Sequence, residues 1–177
     1  MWRLIRRLFG GRKMTKVLAG HVAPAFTLPS TNGTEFSMPE ALKKGPVVAA
    51  FFKISCPVCQ YTFPFLERLY KAHQADPVTF IGISQDDDRD SKDFLKEYGI
   101  TFPALVDARG YPVSNQFGLT NVPTVFLIAP DGKVKVSSIG FSKADIEQIA
   151  RELAQRFQKT PTRVFLSSED VPDYKPG

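Results

Sequence analysis

Three predominantly apolar stretches, Val47–Phe52, Val78–Ser84 and Val125–Ile128, stand out along the chain, the first of them unbroken. Stretches of that length without polar alternation predict strands covered on both faces. Between them the apolar positions recur at helical spacing, in a segment that runs through His73 and in a second over Asp90–Tyr98 closed by Gly99. Phe102–Val106 reads as extended and Val113–Phe117 as a short helix. Asp131-Gly132 turns the strand at Val125–Ile128 into Val134–Ser138 as an antiparallel pair. Ser142-Lys143-Ala144-Asp145 is a helix-capping signal, after which Ile146, Ile149, Ala150, Leu153 and Phe157 repeat at helical spacing. Nearer the start, Ala25–Leu28 and Thr34–Phe36 form a hairpin pattern through Asn32-Gly33, and Ser37-Met38-Pro39-Glu40 opens a short helix.

The order is therefore a hairpin, a βαβαβ unit with a crossover, and a closing ββα. Alternation of this kind predicts an α/β fold, a central mixed β-sheet flanked by helices with an N-terminal β-hairpin extension. Residues 17–160 make one domain and residues 161–177 a polar, proline-bearing tail, with no internal repeat or linker. A chain of 177 residues that is 43% apolar suffices for one sizeable core. The same figures exclude a disulfide-dense mini-protein, a disordered chain and a multi-span membrane protein.

Charge changes the picture only at one end. The net charge is +5, but residues 1–16 hold six cations (Arg3, Arg6, Arg7, Arg12, Lys13, Lys16) and no acid. That leaves 17 cations against 18 acids in the rest, a net of −1. On a helical wheel Trp2, Leu4, Ile5, Leu8 and Phe9 face away from Arg3, Arg6 and Arg7, until Gly10-Gly11 ends the pattern. Two readings of this leader stand side by side: a surface helix making weak contact with an anionic membrane through residues 2–13, or an extension ahead of Met14 as the true start. Its apolar runs are too short for a secretory signal, so a cytoplasmic protein, peripheral to a membrane at most, is expected. Outside the leader no basic-aromatic interleaving occurs, and no nucleic-acid partner is expected.

The chemistry concentrates in Cys56-Pro57-Val58-Cys59, which holds both cysteines of the chain. A strand end followed by Pro57 at the first helical position puts Cys56 at a helix N-cap, where free N–H groups and the helix dipole favour a thiolate. A thiol of pKa about 8.5 is scarcely ionised at neutral pH, and this motif typically lowers it to about 3.5–7.5. Cys59, one turn inward, is placed to resolve a mixed disulfide on Cys56. Zinc would need about four ligands, and only His21 and His73 are available besides the pair, so no metal and no cofactor beyond a redox-active disulfide are expected. Asp86, Asp88, Asp90 and Glu97 fit an EF-hand spacing, but Ser91 stands where its glycine belongs. They are read as the solvated start of a helix with Asp90 or Ser91 as cap.

With these residues assembled, the chain over about residues 20–158 resembles the thioredoxin-like superfamily. The strand before the C-x-x-C, Pro64 five residues after Cys59, and Val122-Pro123-Thr124 ahead of a strand all match. Gly20–Leu28 and the hairpin are similar to the redoxin branch, which holds TlpA-like disulfide reductases and the alkyl hydroperoxide reductase/thiol-specific antioxidant peroxiredoxins. The resemblance implies a thioredoxin-like fold and a thiol–disulfide oxidoreductase with Cys56 as nucleophile and Cys59 as resolving thiol. It also implies a cis Pro123 shaping a substrate groove with Pro57, Val58, Val122 and Thr124, and strand addition of an extended substrate at the Val122 backbone. Implied partners are disulfide-bearing proteins and a thiol reductant such as a thioredoxin or glutathione system, and a monomer is expected.

The chain departs from the family at Ala50 and Thr62, where related reductases carry an acid, and at Ser55, where a tryptophan is usual. Lys53 is the nearest basic side chain in sequence and the candidate for electrostatic support of a thiolate. A peroxiredoxin-like peroxidase, with Cys59 or Cys56 as peroxidatic residue, is the alternative. Its usual threonine is replaced by Cys56, and its peroxide-activating arginine is missing near Pro123. A non-catalytic binding module on the same fold is the second alternative. Phe51, Phe52, Phe63 and Phe65 are expected in the core or lining the groove.

Overall fold

The computed structural model describes residues 15–177, and the leader helix expected within residues 2–9 lies outside the described residues. β1 (Thr27–Pro29) and β2 (Glu35–Ser37) pair antiparallel with Leu28 opposite Phe36. Their turn is closed by Asn32, whose Oδ1 accepts the Thr34 N–H at 3.1 Å, and by Gly33 in the left-handed region at φ +83°. The Ser37 hydroxyl caps α1 (Met38–Lys44) by accepting the Glu40 N–H at 3.5 Å.

β3 (Val47–Phe52) is buried at every position. With β4 (Thr79–Ser84), β5 (Ala104–Val106), β6 (Thr124–Ile128) and β7 (Val134–Ile139) it forms a five-stranded sheet in the order β5-β4-β3-β6-β7. β3, β4 and β5 are mutually parallel, while β6 runs antiparallel to both β3 and β7. β3 is thus the central strand, and its C-terminal end opens onto the candidate site.

Successive residues of β3 face opposite sides. Phe52 enters an aromatic core with Phe63 at 4.5 Å and Phe94 at 4.7 Å between ring centroids, on the face covered by α2 (Pro57–Ala72), α3 (Asp88–Glu97) and α5 (Lys143–Phe157). Phe51 enters the other core with Phe117, Phe126 and Met38, beneath α1 and α4 (Pro112–Gln116). Ser142 caps α5 as its signal predicts, accepting the Asp145 N–H at 3.3 Å.

α3 starts earlier than its sequence suggested. Neither Asp90 nor Ser91 is the cap; Asp87 accepts the Asp90 N–H at 2.8 Å. Ser91 is buried inside the first turn and donates to the Asp87 carbonyl at 2.6 Å. Residue type cannot rank four nearby acids as caps. Here Asp86 is engaged elsewhere, which leaves Asp87 at the right register.

Residues 161–177 pack back onto the domain. Val164 and Phe165 join the aromatic core, with the Phe165 and Phe65 centroids 4.9 Å apart. Arg68 on α2 donates to the Val164 carbonyl at 3.0 Å and to the Glu169 carboxylate at 2.8 Å. Those Arg68 bonds, with the Leu166 N–H, hold the Glu169 carboxyl down at about 2. Farther on, β9 (Tyr174–Lys175) pairs antiparallel with β8 (Phe141–Ser142), the continuation of the edge strand.

Candidate active site

After Phe52 the chain leaves the sheet through Lys53, Ile54 and Ser55 and enters α2 at Cys56. The turn is fixed by two side chains. The Asp86 carboxylate, at the end of β4, accepts the Ile54 N–H at 2.8 Å, and the Gln60 amide donates to the Ile54 carbonyl at 2.8 Å. Cys56 is the N-cap of α2, with extended backbone (φ −85°, ψ 112°) and Pro57 beginning the helix. Its sulfur accepts the Cys59 N–H at 3.2 Å, taking the capping place that serine or aspartate usually fills. The same thiol donates a hydrogen bond to the Val122 carbonyl at 3.5 Å. The Val122–Pro123 peptide is cis.

The two thiols occupy different environments. Cys56 is half-buried, whereas Cys59 is 0% exposed beneath it. Burial pushes the Cys59 thiol far above its usual range, the hydrogen bond with Cys56 adds to that, and the Asp86 charge pushes in the same direction. Of the two sulfurs, Cys56 is the more exposed and Cys59 lies buried behind it.

Around this pair the structure brings together Pro57, Val58, Val122 and Pro123. Val58 and Val122 are half-buried apolar rims, and Pro123 is buried against the loop. Thr124 is turned inward, its hydroxyl donating to the Asn121 carbonyl at 2.7 Å, so it braces the loop and does not line the groove. The Lys53 ammonium lies 5.8 Å from the Tyr111 ring centroid, engaged with that aromatic. The sequence marks Asp86 only as one of a run of acids at a helix start, not as a brace for the turn before Cys56. The signal available was its position directly after the strand neighbouring β3.

The AhpC/TSA family profile matches residues 19–137, two thirds of the chain. The chain belongs to the AhpC/TSA family. Among its redoxin relatives is the thiol-disulfide oxidoreductase ResA of Geobacillus thermodenitrificans, 32% identical over 136 residues, which span 76% of this chain and 77% of that one. Similar solved structures include a Chlorobium tepidum chain named for thiol:disulfide interchange protein DsbE (25% identity, TM-score 0.70, covering 79% of this chain and 98% of that one). Peroxidoxin BcpB of Mycobacterium tuberculosis is another, with 25% identity, a TM-score of 0.64, and coverage of 80% and 97%. With the cysteine pair at the end of the central strand, this redoxin is a thiol–disulfide oxidoreductase of thioredoxin-like fold.

The buried thiol gives a pH prediction. Cys59 is protonated more firmly in the folded than in the unfolded chain, whose thiol titrates near 9.0. Its contribution to stability is whole below that value and is lost as pH rises above it. The gap in unfolding free energy between the reduced protein and Cys59→Ala is expected to narrow on going from about pH 7 to about pH 10. A gap constant over that range would show that Cys59 ionises as freely in the fold as out of it.

Proposed function

We propose that Cys56 attacks and Cys59 resolves in an exchange that reduces protein disulfides. The observation that carries this assignment is the unequal placement of the two sulfurs, one reachable at a helix N-cap and one fully buried. The Cys56 thiolate attacks one substrate sulfur, forming a mixed disulfide and releasing the other substrate sulfur, which takes up a proton. Cys59 then loses its proton and attacks the Cys56 sulfur, forming the Cys56–Cys59 disulfide and releasing the second substrate thiol. The substrate gains two electrons and the protein loses two. A thiol reductant, such as a thioredoxin or glutathione system, restores the dithiol.

Pro57 and Val58 on one side, with Val122 and Pro123 on the other, form the groove that receives the substrate, and the Val122 backbone offers it a strand edge. The electrons travel through the cysteine pair alone, so the reaction asks for no further cofactor or metal. A pair that must be returned to its dithiol suits a cytoplasmic location, where thiol systems are reducing. The protein acts as a monomer in this reading, since both sulfurs and both walls of the groove come from one chain.

The test is trapping. Cys59→Ser incubated with oxidised insulin should accumulate a covalent adduct through Cys56, seen by mass spectrometry and released by dithiothreitol. Absence of the adduct, together with undiminished turnover, would sink the assignment of roles.

A further inference from the structure

The strand edge at Val122 is already covered by this chain's own residues. A Cβ built on Gly177 would stand 2.5 Å from the Val122 carbonyl oxygen, the oxygen that also accepts from the Cys56 thiol. The Asn121 side-chain amide donates to the Gly177 carbonyl at 3.2 Å. Gly140, in the left-handed region at φ +71°, lies against the same ribbon; a Cβ there would meet the Lys175 carbonyl oxygen at 2.4 Å and the Gly177 nitrogen at 2.9 Å. Upstream, Tyr174 and Lys175 pair with Ser142 and Phe141, and the Lys143 N–H donates to the Asp173 carbonyl at 2.9 Å. The Lys175 ammonium sits 4.9 Å from the centroid of the Tyr61 ring, on the turn of α2 that follows Cys59. Residues 173–177 thus run as an extended ribbon from the start of α5 to the carbonyl beside the reactive sulfur.

We propose that residues 172–177 are an internal gate lying on the substrate edge, which keeps extended protein segments out while it is seated. This rests on the reading of Cys56 as the attacking thiol. The gate's occupancy and a substrate's are mutually exclusive, because both need main-chain contact at Val122. A small disulfide needs only the Cys56 sulfur and no strand edge, so the gate discriminates by substrate size.

The ribbon is built to let go. Its strand is two residues long, Pro172 and Pro176 have no N–H to donate, and Tyr174 is 54% exposed. The stronger anchors lie upstream, in buried Val164 and Phe165 and in the Arg68–Glu169 pair. Residues 172–177 therefore swing away without disturbing the core. The partner that fits is an extended segment flanking an exposed disulfide, able to replace the ribbon's main-chain contacts at Val122.

The experiment compares the full chain with a chain ending at Val171, and with Gly177→Val, whose side chain collides with the Val122 carbonyl. Two rates are read: reduction of insulin, and reaction with oxidised glutathione. For a gate seated about nine-tenths of the time, both variants raise kcat/KM on insulin about tenfold through KM, with kcat and the glutathione rate unchanged. Insulin kcat/KM that stays level or falls in both variants overturns the proposal, as does an equal rise in both reactions. The glutathione rate reports Cys56 chemistry without the gate, so a failure of that chemistry is told apart from a failure of gating. Loss of the glutathione reaction on truncation would show that the ribbon builds the site, and would overturn the gate as well.

Discussion

Cys56→Ser is expected to lower reduction of insulin by at least about a thousandfold, to the background of the thiol reductant in the assay. The expectation comes from geometry. Cys56 is the sulfur the groove exposes, and the remaining thiol of Cys59 is fully buried and held protonated by that burial. A serine hydroxyl at the N-cap would keep the Cys59 N–H satisfied, since serine is a preferred cap, so the fold should survive and the loss is chemical. Circular dichroism and the unfolding midpoint of the variant are expected to stay close to those of the parent. Cys59→Ser behaves differently: attack still occurs at Cys56, and the defect appears as a trapped adduct. A Cys56→Ser protein that still turned over within about tenfold of the parent would move the nucleophile to Cys59 and revive the peroxidase-type arrangement.

That asymmetry was half legible in the sequence. The strand Val47–Phe52, the C-x-x-C behind it and the capping signals at Ser37 and Ser142 carry their meaning locally, and the structure places all of them where the pattern does. The mixed sheet and its helices follow from the alternation of elements. What local pattern does not carry is long-range pairing of polar groups. Asp86 reaches back to the Ile54 N–H across 32 residues, and Glu67 on α2 receives the Thr101 N–H at 2.9 Å across 34. Neither partner has a motif. The cap of α3 was misplaced for the same reason, because the acid that caps is decided by which neighbour is already engaged. The closing segment failed differently. Val164 and Phe165 belong to a run of only three apolar residues, ending at Leu166, too short to show a period, yet they complete the aromatic core beside Phe65 and Phe141.

The largest stability effect is expected at another acid that no motif marks, one that bonds the chain six and seven residues ahead. Asp107 is 1% exposed, and its carboxylate accepts the Val113 N–H at 3.0 Å, the Ser114 N–H at 2.8 Å and the Ser114 hydroxyl at 2.8 Å. It does the work of a helix cap from a distance. Tyr111, the residue at the cap position of α4, is in the left-handed region at φ 53° and makes no side-chain capping bond. Asp107→Ala would leave two N–H groups and one hydroxyl buried without an acceptor, a cost of about 3–5 kcal/mol. In a domain of this size that corresponds to a fall in Tm of roughly 10–15 °C. Asp107→Asn keeps an accepting oxygen toward part of the set but turns an NH2 toward the rest, so it should fall between the two. The damage should also reach the groove. α4 leads through Phe117, whose ring lies 5.0 Å from that of Phe51, into Asn121, Val122 and Pro123. Loosening α4 frees the loop that holds the Val122 carbonyl. Well below the lowered Tm, Asp107→Ala should therefore show a raised KM for insulin while Cys56 still reacts with oxidised glutathione at the parental rate. A loss of less than about 1 kcal/mol in urea unfolding would mean that water reaches α4's first turn, and that Asp107 is not its cap.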